Sequence, residues 1–175
     1  MRLLKKFTKI LVLVAAGALL LLLLVGQFAP RKYLHTISVT LPLPAADVYR
    51  WLTDVDDIPN RRARVTRIEY EPVNEKGFPV WREYMEKEFS IYQVLEMEKN
   101  KRFTIETITS NFGLRGLWAY VLKEQVAGAT TVEITEESYT TSLIDNVIFT
   151  LLGRKYTLKQ EVALLKQFTE GAQQQ

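Results

Sequence analysis

The chain has 175 residues, with 23 Lys and Arg against 20 Asp and Glu, one His and no Cys, which excludes thiolate chemistry, disulfides and any metal site that needs two imidazoles. Four of the cations and none of the acids lie in residues 1–30, leaving 19 against 20 in residues 31–175. A folded part this close to neutral is not a nucleic-acid surface, and it is long enough for one domain with a substantial core.

At the N-terminus, Arg2, Lys5, Lys6 and Lys9 precede Ile10–Gly26, a run without a charge or a hydrogen-bonding side chain. Continued through Ala29 as a helix, it reaches about 30 Å at ~1.5 Å per residue, enough to cross a bilayer core. A cleaved secretory peptide shares these features, but cleavage requires small residues at −3 and −1. The exit V-G-Q-F-A-P-R-K instead offers Gln27 at −3 and Pro30 after the cut. An uncleaved anchor is therefore expected over residues 1–30, a domain over 31–172 and a tail at 173–175. Four cations before the span against Arg31 and Lys32 after it predict a cytoplasmic N-terminus and an extracytoplasmic domain, periplasmic if the membrane is a bacterial inner membrane.

Residues 31–41 alternate Leu34/Thr36/Ser38/Thr40 with His35/Ile37/Val39/Leu41, the period of a strand, and Pro42 and Pro44 end it. Ala45–Leu52 reads as a helix burying Val48, Trp51 and Leu52, and D-V-D-D-I-P-N at 54–60 as a turn or second short helix. Strands are predicted at Val65–Glu71, Val80–Lys87, Phe89–Glu98, Lys101–Thr109, Leu114–Lys123 and Thr130–Thr140, with N-E-K-G, E-K-N-K, S-N-F-G and V-A-G-A among the turns between them. An antiparallel meander is the economical connection. A long helix then starts at Ser142, whose spacing to Asp145 is that of a capping box. Its apolar stripe is Leu143, Val147, Leu151, Leu158, Val162, Leu165 and Phe168, with Gly153 as a bend. A curved sheet closed by one such helix leaves space beneath it, the usual place for a ligand.

The segment L-P-L-P-A-A-D-V-Y-R-W-L-T-D-V-D-D-I-P resembles the opening of the START-like superfamily, also called SRPBCC or polyketide cyclase/dehydrase-like. G-L-R-G-L-W-A-Y-V-L-K-E-Q-V-A-G-A-T-T-V-E-I-T-E-E resembles that family's last hairpin. The likeness spans about residues 35–170. It implies an α+β helix-grip fold, with a curved antiparallel sheet of about seven strands wrapped on a long C-terminal helix, here preceded by one transmembrane helix. One departure stands out. Where family members often carry a Trp shortly after the position of Pro59, this chain reads I-P-N-R-R-A-R-V, so that Arg61 or Arg62 takes that place.

The chemical inventory is thin. His35, at the start of the first strand, reads as a strand or membrane-interface residue, and Asp54, Asp56 and Asp57 fit turn and cap roles. No phosphate-binding loop, dinucleotide fingerprint or nucleophile elbow occurs, so no catalytic residue, metal or cofactor is assigned. Period-two alternation offers a ligand-binding lining: Phe89, Ile91 and Leu95 on one strand, Trp118 and Tyr120 on another, Val132 and Ile134 on the last, with Glu136 as a polar group in phase. The same pattern describes a filled core equally well. Arg82 and Tyr84 share another face. A cavity mouth is expected at Arg61 and Arg62 on one side and Leu143, Val147 and Leu151 on the other. Arg61, Arg62, Arg64 and Arg67 suit an anionic headgroup or carboxylate, or a solvated run paired with Asp54, Asp56 and Asp57.

The leading expectation is a membrane-anchored domain that carries or senses a lipid or other hydrophobic small molecule, its cavity held near the bilayer by the tether. The fold alone does not choose this over a cyclase- or hydrolase-like enzyme, which needs Glu, Asp, Tyr or Arg converging inside the cavity. A third reading is a protein-interaction module with a collapsed cavity, its protein partner unidentified. An exposed apolar patch would favour that one.

Overall fold

The computed structural model describes residues 2–111, 113–125, 128–153 and 155–172; the tail at 173–175 lies outside them. The apolar N-terminal run forms a single helix, α1 (Arg2–Phe28). Its stretch Lys6–Phe28 is long and apolar enough to cross a membrane. Pro30 ends it by removing a backbone donor, and β1 (Lys32–Leu41) follows.

After β1 come α2 (Ala45–Thr53) and the single turn α3 (Ile58–Arg61). The helix α2 buries Ala45, Val48 and Leu52, the face expected from their spacing. Six further strands are β2 (Arg67–Glu71), β3 (Val80–Met85), β4 (Glu88–Glu98), β5 (Arg102–Ser110), β6 (Leu114–Glu124) and β7 (Thr130–Thr140). Their order in the sheet is β1-β7-β6-β5-β4-β3-β2 and every neighbouring pair is antiparallel. The meander thus runs backwards from β7, and the first strand closes its far side. On β7 the residues Val132, Ile134, Glu136 and Ser138 are wholly buried, a period of two that gives one inward face.

The long C-terminal helix expected from the sequence is two helices, α4 (Leu143–Leu152) and α5 (Tyr156–Ala172). Gly153 separates them with φ +90°, a conformation that side-chain-bearing residues rarely take. Only α5 is gripped by the sheet. Its Leu158 and Leu165 join a core with Val48, Leu52, Trp81, Val94, Phe103 and Ile134. The helix α4 packs instead against α1. Its start matches the capping expectation: the Asp145 amide donates to Ser142 Oγ at 3.1 Å.

The strand β4 corrects the sequence reading in a second way. Ser90 and Val94 are its fully buried residues and Tyr92 packs on the core, whereas Phe89 and Ile91 take the opposite face. There the Arg82 guanidinium lies 5.2 Å from the Phe89 ring centre. Leu95 sits at one of the two register shifts of the β4–β5 pair. Hydrophobicity misled because the inward face carries a serine while apolar side chains cover the outward one. A bulge also re-phases the strand midway.

Candidate functional site

The helix α5 presents Leu158, Glu161, Leu165 and Thr169 inward, so a carboxylate stands in the middle of an apolar stripe. Two groups meet it. The Tyr120 hydroxyl, from β6, donates to Glu161 Oε1 at 3.0 Å. Arg62, just after α3, donates from Nη2 to Glu161 Oε2 at 3.0 Å. The other guanidinium nitrogen, Nη1, lies 3.8 Å from Glu83 Oε2. Glu83 is buried on β3, in phase with Trp81, whose indole donates to Glu83 Oε1 at 3.1 Å. Arg62 thereby ties a carboxylate of the sheet to a carboxylate of the closing helix.

Aromatic rings frame the centre. Tyr92 stacks on Trp81 at 5.6 Å between ring centres and meets Trp118 edge-on at 6.4 Å; Phe103 stacks on Tyr120 at 6.2 Å. Leu52, Ile58 and Ile105 complete the apolar wall of an adjoining cavity of about 20 Å³, into which Arg61, Arg62, Glu83 and Glu161 also face. That volume accommodates about one water molecule. Arg61 lies over the Trp51 ring at 4.3 Å and donates to the carbonyls of Trp51 and Asp54. Trp51 in turn stacks on Phe168 of α5.

The electrostatics follow from burial and pairing. Burial is the largest single influence on Arg62 and acts to lower its pKa, but Glu161 and Glu83 together outweigh it and hold the guanidinium above its ordinary value. Burial, then the neighbouring Glu161, pushes the Tyr120 hydroxyl well up. Burial, then Glu83, does the same to Tyr92. Both phenols are therefore donors near neutral pH and not bases. Burial and the adjacent Arg62 lower Arg61, which stays cationic because an arginine starts so high. The centre holds Arg62 between two carboxylates, with two phenols beside them. It can orient the polar end of a ligand, or pass a proton to or from one through a carboxylate.

Of the residues expected from the sequence, Arg61, Arg62 and Tyr120 come together here. Val132 and Ile134 are wholly buried in the core and Trp118 packs on its edge. Glu136 forms a separate buried group, accepting from Ser138 at 2.7 Å and from Thr157 at 2.5 Å. Leu143 and Val147 lie against Gly26 of α1, and Leu151 is exposed, so these three do not meet Arg61 and Arg62 across an opening. The arginine run finds partners other than the aspartates: Arg64 pairs with Glu88 at 3.0 Å and Arg67 with Glu69 at 2.7 Å. Glu83, Tyr92 and Glu161 were not singled out from the sequence. The available signal was a carboxylate inside an apolar period, L-K-Q-E-V-A-L-L at 158–165 and W-R-E at 81–83.

Glu136 carries a testable pH dependence. Burial raises its carboxyl above the ordinary value of 4.5, against the lowering effect of Thr157 and Ser138. A folded pKa above the unfolded one means that stability is fully present below the unfolded value and is lost as pH rises through the folded value. Glu136→Gln keeps two hydrogen-bonding atoms and removes the titration. Its urea midpoint is expected to match that of the parent chain at about pH 4 and to exceed it at about pH 8. A variant that loses stability at both would show that the carboxylate itself is needed.

No protein-family model matches this sequence, and no curated protein is similar to it in sequence. Solved structures are similar in fold. A START superfamily protein from Mycobacterium smegmatis superposes with a TM-score of 0.63 at 11% identity, covering 79% of this chain and 98% of its own. The fold is START-like. The Zhui aromatase/cyclase from a Streptomyces species gives a TM-score of 0.61 at 12% identity, covering 77% of this chain and 93% of its own. A protein from Thermus thermophilus gives 0.61 at 20% identity, with 79% and 95% covered. In this START-like fold the helix packed into the core of the sheet is α5.

Proposed function

We propose that residues 31–172 form a START-like domain that binds a largely apolar small molecule with one polar end, and that α1 anchors this domain in a membrane as a single pass. The Arg62–Glu161–Tyr120–Glu83 group beside a small cavity with an apolar wall carries the reading. A core built for stability alone gains little from it, since replacing a buried ion cluster by well-packed apolar residues is often neutral or stabilising. Its donors suit a hydroxyl, carbonyl or carboxylate at the end of a hydrophobic ligand. The START-like fold, whose members bind hydrophobic small molecules, supports the same class of ligand. Of the sources of such a ligand, the membrane is the nearest, and tethering makes its capture a local event. The basic N-terminal stub supports a cytoplasmic N-terminus and an extracytoplasmic domain.

A cavity of about 20 Å³ is far smaller than the several hundred Å³ that a drug-sized ligand fills. Uptake into this cavity therefore requires α5 to move away from the sheet, and Gly153, three residues before α5, is the point where the backbone can turn. Native mass spectrometry of the full-length chain released from its membrane tests the reading. A stoichiometric small molecule is expected, and it is expected to be lost in Arg62→Met. A spectrum without ligand, both as isolated and after incubation with membrane lipid extract, overturns carriage.

A second reading is favoured by one observation: Arg62, Glu83, Tyr92, Tyr120 and Glu161 converge, which an acid–base enzyme needs and a simple carrier does not. Cyclase-like proton transfer on the bound ligand is that reading, and one of the similar structures is an aromatase/cyclase. A bound molecule whose mass changes on incubation with the protein distinguishes it from carriage. Display of the β2 edge, one of the sheet's two edge strands, to a protein partner is less favoured, because β2 is short and carries Arg67, Glu69 and Glu71.

A further inference from the structure

The helix α4 is ten residues long, L-I-D-N-V-I-F-T-L-L, and Asp145 at its N-terminal cap is its one charge. Its apolar side chains do not all turn inward. Ile144 is 66% exposed, Ile148 43%, Leu151 64% and Leu152 51%, and positions 144, 148, 151 and 152 form one stripe along a helix. In water such a stripe is a liability. Its opposite side is held to the anchor. Gly26 of α1 approaches so closely that a Cβ there would overlap Val147 Cγ2 and stand 3.1 Å from the Leu143 carbonyl oxygen.

The polar bonds between the two helices have a specific cause. In α1 the carbonyl of Gly26 would accept from the amide of residue 30, but that residue is Pro30 and has no amide hydrogen. Asn146 supplies the missing donor: its Nδ2 donates to Gly26 O at 2.6 Å and to Ala29 O at 3.0 Å. Its Oδ1 accepts from Thr140 Oγ1 at 3.1 Å. The end of the anchor is thus capped by α4, as unpaired carbonyls near hydrocarbon require. The exposed stripe of α4 adjoins the apolar surface of α1, where Leu24 and Val25 are also exposed. Cations flank both helices on the domain side, Arg31 and Lys32 after α1 and Lys155 after α4, where lipid phosphates would lie.

We infer that α4 is a second membrane element: it lies in the bilayer interface beside the point where α1 emerges and buries Ile144, Ile148, Leu151 and Leu152 among lipid acyl chains. This rests on the anchor reading of α1. An apolar helix too short to span, with one lipid-facing stripe, fits an interfacial position. The domain is then held against the surface at two points, and the Gly153 turn into α5 starts from within the membrane interface.

The chain has no Cys, so single-cysteine variants of the full-length protein report one position each. Leu20→Cys, Ile148→Cys, Leu151→Cys and Lys101→Cys, labelled with a small fluorophore, are reconstituted in phosphatidylethanolamine/phosphatidylglycerol vesicles. Quenching is read from bromine-substituted acyl chains and from aqueous iodide. The expected result is a bromolipid-dependent loss at 148 and 151 comparable to that at 20, with iodide acting only at 101. Iodide quenching at 148 and 151 while position 20 stays lipid-quenched overturns the inference and leaves the anchor standing. Protection of 148 and 151 from both quenchers overturns it in favour of a protein partner on that face. Absence of lipid quenching at 20 removes the anchor reading and this inference with it.

Discussion

Arg62→Leu is expected to lower the stability of the domain by about 3 kcal/mol, toward the lower end of the range for breaking a buried ion pair because the Arg62 side chain is 30% exposed. The cost comes less from the lost attraction than from what remains. Glu83 and Glu161, 3% and 11% exposed, would face each other with no cation between them. Urea denaturation of the full-length chain in detergent reads the loss. The triple variant Arg62→Met/Glu83→Gln/Glu161→Leu removes the charges together and should regain most of the stability, since an apolar replacement of a whole buried cluster costs little. If the cluster serves ligand recognition, this stable variant still retains no small molecule in native mass spectrometry. A triple variant that is stable and fully loaded would mean that the charges play no part in binding.

Asn146→Leu is the other substitution with a large expected effect, about 2–6 kcal/mol, at ~1–3 kcal/mol for each of two carbonyls left without a donor. Leucine branches at the same carbon as asparagine and removes the hydrogen bonds to Gly26 and Ala29, and its larger volume at this fully buried position adds to the loss. The effect should be local. Hydrogen exchange in lipid nanodiscs is expected to speed up through α4 and the end of α1, while β4 and β5, in the middle of the sheet, keep their protection. Unchanged exchange in α4 would show that apolar packing against Gly26 suffices to hold it.

The residues that carry these two effects differ in how visible they were. Arg62 stands out because it or Arg61 takes the place where the family it resembles often carries Trp, yet its partner lies on α5, 99 residues away. The one signal around Glu161, a carboxylate inside an apolar period, does not separate it from a carboxylate on a solvated helix face until the sheet is seen to wrap that face. Asn146 is a similar case. The sequence shows a Pro just after the apolar run, and so a carbonyl without its helical donor, but not which side chain replaces the donor. The β4 lining was misread for a local reason. Phe89, Ile91 and Leu95 obey a period of two, but that period says only that two faces differ, and the buried Ser90 and Tyr92 lie on the other one.

The sequence by itself determined the apolar N-terminal helix, the seven strands in their order, the short helices after the first strand and the capped start at Ser142. All of these are written in periodicity, proline and turn chemistry over a few residues, where covalent geometry leaves few choices. Only the tertiary structure decided three further matters: that the last helix breaks at Gly153 into a gripped half and a half laid on the anchor, that Arg62 joins Glu83 to Glu161, and that the cavity beside this group has a volume of about 20 Å³. Each depends on how distant side chains fill a shared volume. Packing couples residues far apart in the chain, and no local pattern encodes that coupling.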